Sequence, residues 1–161
     1  MIASGIKMRG FYRLQITDPD GSIVGDSGWH QNQIVNLGVN DYLCQLLGGM
    51  AGSKVITHAA LGTGTAPGAA ATALNGELDQ TSSRAAVTAA TSSSSMKARF
   101  TATFASGNSF VSTTMTLQNI GLFNQSNVTA GTLFAGNTYA TSTCAVNQNV
   151  NVTYDIDFST A

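Results

Sequence analysis

Two histidines, two cysteines and eight acids are the scarce residues in this chain whose types and spacing could do acid–base or metal chemistry. His30 and His58 have no Cys, His, Asp or Glu at metal-ligand spacing. His58 reads as a strand residue hydrogen-bonded at the surface. Asp18, Asp20 and Asp26 hint at a calcium loop, but the later glutamate and the full run of oxygen ligands are missing. The same residues spell a type I turn, Asp18-Pro-Asp-Gly21. Glu77 and Asp79 are close but have no identifiable partner, so paired-carboxylate catalysis has little to rest on. No Gly-x-Ser-x-Gly elbow exists. The cluster Gly62-Thr-Gly64-Thr-Ala-Pro-Gly68 suggests a phosphate loop, yet it lacks the lysine, and Pro67 removes an N–H that such a cradle uses. Three Asn-x-Ser/Thr matches, at Asn124, Asn127 and Asn151, are what chance supplies in an Asn- and Thr-rich chain. Cys44 and Cys144 are 100 residues apart and read as reduced, packed thiols. No residue is assigned to catalysis, to a cofactor or to a metal, and the chain is expected not to be an enzyme.

The elements that would position these residues are mostly strands. The central stretch runs from Val55 to Leu78. It opens as a strand, breaks at Gly62, Gly64, Pro67 and Gly68, and then predicts a short helical turn capped by Thr72, with Leu74 and Leu78 on one face. Before it, Phe11–Thr17 alternates as a half-buried strand and Ser22–Gly25 returns, which predicts a hairpin over 11–25. Trp29–Val35 is either a polar strand or the approach to a helix. That helix is predicted over Leu37–Leu47, with Asn36 as N-cap and Gly48-Gly49 as stop. Val39, Tyr42, Leu43, Leu46 and Leu47 form its apolar stripe, expected to face the core.

After Leu78, Arg84–Thr88 predicts a short strand and Ala89–Ser95 a mobile low-complexity link. Met96–Phe104 and Phe110–Leu117 predict strands joined by a turn at Gly107-Asn108. Asn119–Asn124 reads as an apolar run buried on both faces, Gln125–Gly131 as a polar loop and Thr132–Ala135 as another strand. The last strand is the clearest: Val150, Val152, Tyr154, Ile156 and Phe158 alternate with polar residues. The fold class expected is mainly β, an antiparallel, jelly-roll-like β-sandwich with one amphipathic helix and one short helical turn, in a single domain over 1–161.

Composition narrows the partners. Of 161 residues only 9% are charged, against roughly 25% in typical soluble domains. Ser, Thr, Asn and Gln take the place of the missing charges. Sparse charge suits a surface covered in an assembly. Seven scattered Lys and Arg against eight acids give no basic excess, so nucleic acid is not an expected partner. No long apolar run predicts a membrane span, and the first residues show no secretory signal. Homo-oligomerisation is expected, because outward strand faces lack the charges that block strand association. Trp29, His30 and Gln31 are the candidate contact patch, a lone Trp beside polar residues. Trp29 closing the core is the competing expectation.

Three segments together resemble a group of tailed-bacteriophage virion proteins. The first is the N-terminal hairpin followed by Asn36-Leu-Gly-Val-Asn-Asp-Tyr-Leu43. The second is Ile56-Thr-His-Ala-Ala-Leu-Gly-Thr-Gly-Thr-Ala-Pro67 with Leu74-Asn-Gly-Glu-Leu78 and Arg84. The third is Ile120-Gly-Leu-Phe-Asn124, Leu133-Phe-Ala135 and the C-terminal strand. The resemblance implies a non-enzymatic virion component. Its first implied role is a decoration (cement) protein on the outer capsid, made in the host cytoplasm and partnered by the major capsid protein, and the threefold positions of an icosahedral shell then favour a homo-trimer before a dimer. A tail or fibre component with an adsorption or binding role is the alternative. A small hydrolase or carbohydrate-processing enzyme on a sandwich fold is the third class.

Overall fold

The computed structural model describes residues 5–78, 84–92, 95–128 and 130–160. Ten strands are described, all paired antiparallel: β1 (Ile6–Thr17), β2 (Ile23–Asp26), β3 (His30–Ile34), β4 (His58–Gly62), β5 (Ala85–Ala86), β6 (Thr88–Ser92), β7 (Lys97–Phe104), β8 (Met115–Phe123), β9 (Leu133–Cys144) and β10 (Asn149–Thr160). Their order is β5-β4-β8-β9-β3-β1-β10-β7-β6, with β2 hairpinned onto β1. β5 and β6 are separated by Val87 alone. The first pairs with β4 and the second with β7, so this stretch brings the two ends of the sheet together. β3 does the same on the other side, pairing β1 through residues 30–32 and β9 through residues 33–34. One strand that changes partners part-way and one pair of strands split by a single residue therefore nearly close the sheet into a ring, and closure removes the exposed edges that a flat sheet presents.

The interior holds the alternating residues. Tyr12, Leu14 and Ile16 of β1 meet Val150, Val152, Tyr154 and Ile156 of β10, all buried, in the register Tyr12 opposite Tyr154. β8 is buried from Asn119 to Phe123 without alternation. It has a second layer outside the ring, where Leu74 packs with Val35, Ala60, Phe123 and Leu133 under the glycine-rich stretch. The double burial read from Asn119–Asn124 is thus explained through Phe123.

Several expectations need correction. The strand expected from Val55 begins at His58. No helical turn forms over 72–78. Gly76 takes a left-handed φ of +62°, and the chain doubles back on β4, with Thr63 N–H on Gly76 O and Leu78 N–H on Leu61 O. Leu74 and Leu78 consequently pack in different clusters. The segment from Ala89 to Ser92, read as a mobile link, is strand, because β7 supplies a partner at every position from Thr88 to Ser92; residues 93 and 94 of that link lie outside the described residues. The strand expected from Phe110 starts at Met115, although Phe110 and Val111 are buried.

The helix forms where expected but winds wide, as a π-helix over Gly38–Cys44 followed by one α-turn, Gln45–Leu47. Its stripe enters the core only through Tyr42, which joins the main buried cluster against Phe134. Tyr42 is buried and its hydroxyl donates to Thr132 O, whereas Val39, Leu46 and Leu47 are exposed, Leu47 by 87%. The π-winding turns these side chains off the regular i, i+3, i+4 line.

Candidate functional site

Three places hold the residues singled out by type. The first surrounds Arg84, whose side chain is 2% exposed. Its five N–H donors are all used. Nε and Nη2 clamp Glu77 at 2.5 and 3.0 Å, Nη1 reaches the carbonyls of Gln125 and Ala130 at 3.1 and 2.9 Å, and Nη2 reaches that of Val128 at 3.2 Å. The guanidinium lies 3.3 Å from the centre of the Phe123 ring. Glu77 thus has the partner that spacing alone did not reveal, while Asp79 lies outside the described residues.

The glycine cluster serves the same knot. A Cβ at Gly64 would lie 2.3 Å from Asn75 O, so the chain crosses itself where only glycine fits. Fully buried Asn119 fastens the crossing by donating to Thr65 O at 3.1 Å and Asn75 O at 2.7 Å. These backbone groups bond to one another rather than pointing at a common centre, which is the wrong arrangement for a phosphate cradle. His58 is half-buried beside the knot, its Nδ1 2.8 Å from Thr57 Oγ1. Burial first, and then the Arg84 charge, hold its imidazole below the ordinary value. A satisfied, desolvated ion pair of this kind orders a loop; it offers no open donor to a substrate.

The second place contains Trp29, His30 and Gln31, which do not form one patch. His30 turns inward, stacks on Tyr12 at 5.8 Å and approaches Ser27 O with Nε2 at 2.6 Å. Trp29 remains 47% exposed, and Arg99 lies 5.9 Å from its ring centre. Gln31 is exposed, with its carbonyl bound by Asn137. Trp29 therefore does not close the core.

Below Arg99 lies Asp155, an acid buried to 3% exposure on the outer face of β10. Arg99 grips it with two bonds of 2.7 Å and Lys97 with one of 3.0 Å. Burial pushes the carboxyl up, but the bonds from Arg99 and Lys97 outweigh it and leave the group below the usual carboxylate range. The alternation of β10 did not predict a buried acid here; the cations opposite it in β7 were the available signal.

The third place was not anticipated. The helix rests across one end of the ring and leaves apolar grooves on both flanks. The larger, about 850 Å³, runs between the start of β1 and the helix, lined by Ile6, Met8, Ile34, Val39, Leu46 and Leu47 among others. The smaller, about 360 Å³, lies toward β7 and Val55. Leu43, Leu46 and Phe158 border both, and Phe158 is accordingly half-buried instead of filling the core. Cys44 is exposed at the larger groove, contrary to the expected packed thiol; Cys144 is buried, and burial raises its thiol to about 11.

Among the described residues no group of three or more His, Cys, Asp or Glu is placed to hold a metal, and no helix is long and apolar enough to cross a membrane. Comparison with protein-family models, curated proteins and solved structures finds no match.

Proposed function

We propose that this chain is a non-enzymatic structural protein of a phage particle, a decoration protein on the outer capsid that binds the major capsid protein and stabilises the shell. The observation that carries the reading is the way the resembling segments interlock. Arg84 from the second segment, clamped by Glu77 of the same segment, packs on Phe123 from the third, and Asn119, one residue before that third segment, ties down the glycine crossing of the second. A set of short matches is better supported as a family likeness when its members build one structural unit.

Surface chemistry supports the same reading. Five of the seven cations are engaged in ion pairs, Arg13, Lys54, Arg84, Lys97 and Arg99, which leaves a surface of sparse free charge and exposed apolar side chains. Such a surface suits a permanent neighbour. We read the near-closed ring as two facing layers, a sandwich with jelly-roll-like connectivity. We propose self-association as a trimer, the outer capsid surface as its location after synthesis in the host cytoplasm, and neither nucleic acid nor membrane as a partner. The half-exposed Trp29 beside Arg99 favours a second reading, a tail or fibre component with a binding role.

Protein quantification on purified particles tests both. Hundreds of copies per particle are expected; a few to a few dozen would move the protein to the tail, and its absence from particles would end the virion reading.

A further inference from the structure

The larger groove has a counterpart on the same molecule. At the far end of β1, the hairpin tip exposes Ile23 by 57% and Val24 by 52%, next to Asp18 and Asp20. Neither aspartate has a cationic partner among the described residues: Asp18 accepts from Gln148, and Asp20 accepts from Ser22. At the groove end the imbalance is opposite. Lys7 and Arg9 are exposed and make no ion pair among the described residues, and Arg9 lines the groove with Ile6, Leu46 and Leu47. One end is thus an apolar knob with free negative charge. The other is an apolar groove with free positive charge.

We propose that copies of this chain associate head to tail, the β1–β2 hairpin tip of one entering the groove beside the helix of the next. Ile23 and Val24 cover the leucines, and Asp18 and Asp20 approach Arg9 and Lys7. Twelve residues of strand separate the two ends by roughly 35–40 Å, so knob and groove cannot meet within one chain. A groove-to-groove dimer would instead set Lys7 and Arg9 of two copies against each other, and like charges across an interface disfavour it. Head-to-tail contacts close into rings when the rotation permits, which gives the trimer a geometry. The inference rests on the self-association proposed above and names its surfaces.

Cys44 makes the test direct. The chain carrying I23C and C44S has an accessible thiol only at the tip, since Cys144 is buried; the native chain has one only at the groove. Mild oxidation of an equal mixture is expected to give a covalent dimer whose linked peptides join positions 23 and 44, while the I23C/C44S chain alone stays unlinked. Raising the salt from 0.05 to ~1 M should lower the yield several-fold, because the Debye length falls to about 3 Å. Adding D20R to the tip chain should lower it likewise, and pairing that chain with R9D in the native partner should restore it. A mixture with no 23–44 link, or a native chain that links through its own Cys44 into a dimer, overturns the proposal. Particle copy number is measured separately. An abundant virion protein without the link overturns the interface alone, and a linked protein absent from particles overturns the function alone.

Discussion

The Arg84 knot and the helix end show two opposite ways of finishing a β-ring. At the Arg84 clamp the polar groups are paired: five guanidinium N–H groups, both carboxylate oxygens of Glu77 and three loop carbonyls, while in the crossing beside it Asn119 Oδ1 is buried without a partner among the described residues. Apolar side chains are covered there too, Phe123 and Leu74 among them. At the helix end the polar groups are few and the apolar ones are left over, with Ile6, Leu46, Leu47, Met50 and Val55 all more than half exposed. Interiors are close-packed, and a region that meets all its own needs has nothing left to bind with. The unfinished region is the one that the proposed association uses. On that proposal the difference separates residues kept for folding from residues free for assembly.

The largest expected effect breaks the knot. Arg84→Ala leaves Glu77 buried and three carbonyls without donors, and should cost about 3–5 kcal/mol in urea unfolding, the usual range for an orphaned buried charge. Adding Glu77→Gln should recover part of that loss. A cost under about 1 kcal/mol for Arg84→Ala would mean that the knot does not hold the loops.

A smaller effect comes from acid. His58 has an ordinary value of 6.5 that is lowered in the fold, so the folded state binds fewer protons and stability falls as pH drops through 6.5. Asp155, ordinarily 3.8, is also lowered; its contribution is present above that value and is lost as pH falls further. Urea midpoints should therefore decline in two stages. His58→Gln should remove the first stage and leave the second, and an unchanged profile in that variant would place the first stage elsewhere.

The smallest effect is at the other region. Leu47→Ser should change stability by less than about 0.5 kcal/mol, because the side chain is 87% exposed. The same change should shift the monomer–oligomer balance toward monomer in sedimentation velocity. A large stability loss would mean that Leu47 is a core residue and that the two regions do not differ in kind.

Period-two alternation in β1 and β10, the Asp18–Gly21 turn and the position of the helix were all legible in the chain, since each depends on near neighbours. Local spacing reports which side chains share a face. It does not report what lies opposite that face. The apolar stripe of the helix was readable, but its exposure was not, because burial depends on the gap that β1 and β3 leave at the ring's end. Ala89–Ser92 carries no strand signal of its own and is strand because β7 lies beside it. The Arg84 clamp joins residues up to 46 positions apart, and the glycine crossing has meaning only once Asn75 and Asn119 are in place. Contacts so distant along the chain exist only after the ring has formed, so in this protein local geometry belongs to the residue order and the choice of partner belongs to the fold.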